Sequence, residues 1–91
     1  MESTIKTVAR IDATTVKAFE TEMGNAVSAG SKSIIVDMDD TIYICSSALR
    51  VFLTTQKKMR ASGGTMVLKN VKQQILEIFE VTGFAGVLTI E

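Results

Sequence analysis

The sequence predicts an α/β fold: a mostly parallel or mixed sheet of about four strands with three helices packed on it. Three observations carry this. Apolar residues alternate between short β-type runs and longer stretches of helical period, in the order β-α-β-α-β-α-β. Glycine or capping residues punctuate nearly every junction. With 91 residues, the chain buries roughly 60–65% of its unfolded surface, enough for one modest core and one domain over residues 1–91.

The elements follow in order. Ser3 to Ile11 alternates, with Ile5, Thr7, Ala9 and Ile11 on one side and Lys6 and Arg10 on the other. That is a half-exposed strand; Val8 falls on its polar face. Asp12-Ala13-Thr14 supplies capping side chains. Val16, Phe19, Met23, Ala26 and Val27 form a helical stripe, giving a helix over 14–28 that Gly30 ends. Residues 33–38, SIIVDM, are apolar on both faces as far as Asp37, the signature of a buried central strand. Asp39-Asp40-Thr41 turns, and Ile42-Tyr43-Ile44 is a short apolar return. Cys45-Ser46-Ser47 opens a second helix over 47–61, with Leu49, Phe52, Leu53 and Met59 inward and a cationic end at Lys57, Lys58 and Arg60. Ser62-Gly63-Gly64 stops it. Residues 65–68 are a strand and Lys69-Asn70 a turn. Val71, Ile75, Ile78 and Phe79 are the inward face of a third helix over 71–82, closed by Gly83; residues 87–90 are the last strand.

Composition narrows the function. Ten basic and ten acidic residues cancel, so no net field points at nucleic acid or an anionic membrane. One cysteine excludes an internal disulfide and, with no signal peptide evident, suggests the cytoplasm. No apolar run is long enough to span a membrane. With no histidine, histidine zinc sites and a Ser-His-Asp triad cannot be built within one chain. No cofactor or metal is expected. Asp37, Asp39 and Asp40 lack the rest of a ligand set and read as a solvated turn. Nothing in the sequence sets the oligomeric state.

In parallel sheets, function gathers in the loops at the carboxyl ends of strands. Three qualify: Asp12 to Thr14, Asp39 to Ser47, and Lys69-Asn70. At the middle loop the sequence resembles the STAS domain of bacterial anti-sigma factor antagonists. That family runs as an apolar strand, a polar turn, Tyr-apolar-Asp-Ser-Ser-Gly-Leu and a helix; this chain has IIVDMDDTIYICSSALRVFL at the same spacing. ARIDATT is similar to the family's turn into its first helix, and GGTMVLKNV, EVTGF and VLTI match its later part. The likeness spans about residues 5 to 90. Cys45 stands where the family usually has Asp, Ala48 after the serines where it has Gly, and Ala9 where Gly precedes Asp12. The family's preceding strand and its final helix have little or no counterpart.

The resemblance implies an anti-sigma factor antagonist that works by partner switching. Its partners would be an anti-sigma factor with serine kinase activity and a serine phosphatase that resets the switch. By position the phosphoacceptor is Ser46, with Ser47 the second choice; Asp12, Asp40, Ser46, Ser47 and Arg50 border the binding surface. On residue chemistry alone the serines are equally a helix N-cap. Two alternatives stand beside this. One is a degenerate STAS subunit of a larger assembly that is not phosphorylated. The other is a rhodanese-like sulfurtransferase using Cys45, because Cys45-x4-Arg50 matches that spacing; its anion loop usually needs a glycine, and Ser-Ser-Ala-Leu has none. Cys45 otherwise reads as a small, packed strand end.

Overall fold

The computed structural model describes residues 2–91. Its elements are β1 (Glu2–Lys6), β2 (Arg10–Ile11), α1 (Val16–Ser28), β3 (Ser33–Asp37), β4 (Tyr43–Ile44), α2 (Ser46–Ala61), β5 (Thr65–Lys69), α3 (Gln73–Val81), a 3₁₀ turn (Phe84–Gly86) and β6 (Thr89–Ile90). β1, β3, β5 and β6 form one sheet in that spatial order, every pairing parallel, and β2 pairs with β4 in a separate parallel ribbon. The α/β expectation is met, with the sheet wholly parallel rather than mixed.

Each crossover steps one strand further from β1. Right-handed connections then place all three helices on the same side. Burial records this directly. Ile5, Ile34, Val36, Met66 and Leu68 face the helices and are buried, whereas Ser33, Ile35, Asp37, Val67 and Lys69 on the opposite face are only half-buried. Residues 33–37 therefore form the central strand expected over 33–38, but are not covered on both faces: among the described residues no helix lies on the far side. Phe52 sits in the middle of the core. Its ring meets Phe19 of α1 at 5.0 Å and Phe79 of α3 edge-on at 5.7 Å, so one side chain ties the three helices together.

Several boundaries differ from those expected. The Ser3–Ile11 strand is broken. Thr7 still bonds Asp37 through N–H to O at 3.0 Å, but Val8 and Ala9 leave the sheet, and the chain re-enters as β2 against β4. Ala9 is exposed rather than inward. α1 starts at Val16 because the Asp12 carbonyl first accepts the N–H groups of Thr15 and Val16 in a turn. The inward stripe of α2 is Ala48, Phe52, Thr55 and Met59 with Val51 and Gln56, while Leu49 and Leu53 are half-buried. Hydropathy picks out large apolar residues; burial follows angular position, here i, i+4, i+7 and i+11, and admits a small alanine and a threonine whose hydroxyl bonds the Val51 carbonyl at 2.8 Å. α3 is shorter than 71–82. The last strand is shorter than 87–90 because Val87 and Leu88 still donate to the Phe84 carbonyl. Arg60 is not simply solvated: its guanidinium donates to the Val87 carbonyl at 3.0 Å. At Gly64 a Cβ would lie 2.8 Å from the Lys32 carbonyl oxygen, so the turn into β5 requires glycine.

The position of Phe52 makes the core testable. Phe52→Ala is expected to cost about 3–5 kcal/mol, because it removes a fully buried ring and leaves a cavity bounded by two helices. Urea unfolding followed by far-ultraviolet circular dichroism measures it; a loss below about 1 kcal/mol would contradict this packing.

Candidate functional site

The loops at the carboxyl ends of the strands are stitched together by buried polar groups. Thr41, expected as an ordinary turn residue, is fully buried. Its hydroxyl donates to the Val8 carbonyl at 2.8 Å and shares a hydrogen bond with the Thr7 hydroxyl, which is also buried. Main-chain bonds continue the seam: Ile42 and Tyr43 N–H to the Ala9 carbonyl, then Cys45 N–H to the Ile11 carbonyl at 2.9 Å. The parallel register of Arg10 with Tyr43 and Ile11 with Ile44 brings Asp12 alongside Cys45, at the threshold of α2. A buried hydroxyl without a partner costs roughly 1–3 kcal/mol, so these pairings hold the loop in one conformation.

This seam decides where each expected site residue lies. Ser46 is the first residue of α2 and Ser47 the second; both side chains are exposed. Neither is the N-cap. That position belongs to Cys45, in extended conformation and with no capping hydrogen bond from its side chain. The Cys45 thiol is half-buried against the edge of the core. Ser47 and Arg50 come together in a groove of about 400 Å³ between α1 and α2, which Lys17, Glu20 and Lys58 also line. Asp40 has its carboxylate 3.6 Å from the Lys6 ammonium at the end of β1, both largely exposed.

Asp12 organises its own loop. One carboxylate oxygen accepts from the Thr14 N–H at 2.9 Å and the Thr14 hydroxyl at 2.6 Å, and the Thr15 hydroxyl accepts the Asp12 N–H in return. The Thr14 bonds above all, then the Thr15 N–H and the neighbouring Arg10, hold the Asp12 carboxyl below the usual carboxylate range. Asp37 is similar. The Asn70 amide donates to it at 3.1 Å and the Asp39 N–H at 3.0 Å, and these, with Lys6 nearby, lower its pKa. Asp37 therefore braces the third loop, where Asn70 adopts the left-handed conformation at φ 59°. Among the described residues no group of three or more carboxylate or cysteine side chains is placed to hold an ion.

Sequence reasoning missed an apolar patch beside the serines. Val8 is 52% exposed, Ile42 48% and Tyr43 39%, and the bonds from the Ile42 and Tyr43 N–H groups to the Ala9 carbonyl bring the two segments that carry them side by side. The Arg10 guanidinium lies 4.5 Å above the Tyr43 ring centre and its Nε is 3.6 Å from Asp12. Exposed apolar side chains rimmed by charge are the usual character of a protein-binding surface. The available signal was Val8, the apolar residue on the polar face of an alternating strand. The Cys45-x4-Arg50 spacing, by contrast, builds no anion loop: α2 begins at Ser46, so the intervening residues are helical.

The profile of the STAS domain family matches residues 3–91. BtrV of Bordetella bronchiseptica is 29% identical over 80 residues, covering 88% of this chain and 69% of its own. The anti-sigma-B factor antagonist of Bacillus subtilis is 30% identical over 53 residues, 58% of this chain and 49% of its own length. Among solved structures, the anti-sigma factor antagonist SpoIIAA in its unphosphorylated form superposes with a TM-score of 0.82 over 99% of this chain and 80% of that one, at 17% identity. The phosphorylated form of SpoIIAA from Bacillus gives 0.75 at 18% identity, over 98% of this chain and 82% of that one. At these identities the structures share the fold.

Two outcomes follow from the geometry. Cys45→Asp supplies the missing cap and is expected to stabilise the protein by about 1 kcal/mol, read as a higher urea midpoint at unchanged slope. No gain would mean that the first-turn N–H groups are already satisfied by water. The second outcome concerns pH. Asp12 and Asp37 have folded pKa values below the ordinary 3.8, so the stability they contribute is complete above that value and is lost as pH falls through the lowered one. Asp37→Asn should therefore lower stability at pH 7 and lose less than the parent between pH 5 and pH 2, measured by urea unfolding at each pH.

Proposed function

The chain belongs to the STAS domain family, and on that premise we propose that it acts as an anti-sigma factor antagonist. It binds an anti-sigma factor that is also a serine kinase, and this frees a sigma factor. The kinase phosphorylates Ser46, with Ser47 the second choice, and so ends the complex; a serine phosphatase restores it. The protein works by binding rather than by catalysis, in the cytoplasm.

The observation that carries this reading is the exposed Ser46 at the first turn of α2, directly after β4, with Ile42 and Tyr43 exposed just before it in the chain. A partner that covers this segment also covers Ser46. In this reading Asp12, Asp40, Ser47 and Arg50 border the binding surface with Ser46; Arg10 pairs with Asp12, Lys6 with Asp40, and Ser47 and Arg50 line the groove between α1 and α2. Phosphate adds roughly 1.5–2 negative charges. In the isolated domain the charge faces solvent and the positive end of the α2 dipole, which favours an anion by about 0.3–1 kcal/mol. In a closed interface the same charge is desolvated and unpaired, at several kcal/mol. Phosphorylation thus removes the complex while sparing the fold. Further support comes from the relatives: one is named as an antagonist of anti-sigma-B factor, and SpoIIAA has been solved with and without its phosphate.

One observation favours a second reading. Cys45 occupies the N-cap without capping it, where the family usually has Asp, so the carboxylate that would sit beside Ser46 is absent. A STAS subunit that binds its partner without phosphorylation accommodates that change.

Calorimetric titration against the cognate kinase-type anti-sigma factor separates the two. Ser46→Asp is expected to weaken binding about tenfold or more, Ser46→Ala by much less, with both melting temperatures close to the parent's. Equal affinities for the two variants would favour the unswitched subunit.

A further inference from the structure

We propose that β1 is a self-complementary edge through which two copies of this chain pair as antiparallel strands, joining their sheets across a two-fold axis. The inference is independent of Ser46. β1 is the end strand of the sheet, bonded to β3 on one side, and among the described residues nothing pairs with its other side. In a parallel pair, the N–H and C=O of one residue point to the same neighbour, and successive residues alternate. The bond from Thr7 N–H to the Asp37 carbonyl sets the phase. Ser3, Ile5 and Thr7 direct their main-chain groups to β3, so Glu2, Thr4 and Lys6 direct theirs outward.

Those outward groups specify the partner. A two-fold antiparallel pairing centred on Thr4 sets Thr4 opposite Thr4 of the second copy, and Glu2 opposite Lys6 of the second copy, at both ends of the strand. Each of these pairs is of the hydrogen-bonded kind, with both residues exchanging N–H and C=O. Unlike charges face each other on the open face of the sheet. Centring the axis on Glu2 or on Lys6 sets like charges opposite instead, which is unfavourable. Edge strands are ordinarily protected from such pairing by charge; here the charges at the two ends are of opposite sign and complement one another under the symmetry. Lys6 lies beside Asp37 and makes an exposed ion pair with Asp40 at 3.6 Å, which is weak enough to be exchanged.

The contact is that of a single five-residue strand, so the dimer is expected to be reversible and to populate between about 10 µM and about 1 mM, at the transient end of interface sizes. Sedimentation equilibrium over that range tests it. Glu2→Lys and Lys6→Glu should each weaken association about tenfold, since each replaces both ion pairs of the dimer by like charges. The doubly swapped protein should recover it. Thr4→Pro removes an outward N–H that β3 does not use, and should abolish the dimer with a circular dichroism spectrum like the parent's. A sedimentation profile that is monomeric throughout the range, or a dimer indifferent to both single swaps and to Thr4→Pro, would overturn the proposal.

Discussion

Each crossover in this chain moves one strand further from β1, and with the right-handed sense that parallel crossovers take, α1, α2 and α3 stack on one side of a four-stranded parallel sheet. A single core follows, in which Phe52 contacts both Phe19 and Phe79. The same constraint leaves the other face lined by Thr4, Ile35, Val67 and Thr89, exposed or half-buried. Parallel sheets are usually covered on both faces. A one-sided example concentrates its stability in the helix-facing layer and presents a sheet face, and an edge, to its surroundings.

The one-directional winding also brings the loops after β1, β3 and β5 to one end of the molecule. They are not left to find their arrangement independently. Thr7 and Thr41 close a buried hydroxyl pair, Ile42 and Cys45 bond back to Ala9 and Ile11, and Asn70 reaches Asp37. Because an unpaired buried polar group is costly, this seam behaves as one unit. It positions the first turn of α2 relative to β2 and the Val8–Ala9 segment that precedes it. A binding surface that stays preformed loses less ordering entropy on association. In the proposed reading, a charge added at Ser46 changes the interface and leaves the seam untouched.

The sequence by itself determined the alternation of strands and helices, a sheet of about four strands, and the loop that opens α2. Those rest on local periodicity and on glycines and capping residues, which act within a few residues of themselves. The family of the chain was legible in the same loop, in the ordered spacing around Ser46 and Ser47. Tertiary structure decided what depends on distant partners. It broke Ser3–Ile11 in two because β2 finds β4 rather than β3, and it left SIIVDM half-covered because all crossovers fall on one side. It buried Thr41, whose partners Thr7 and Val8 lie more than thirty residues away, and made Cys45 rather than a serine the N-cap. It paired Asp40 with Lys6 and joined Ser47 to Arg50 and Lys17 in one groove. In each case a hydrogen bond or a packing neighbour remote in sequence outweighed the local preference, and no pattern within a short window encodes such a neighbour.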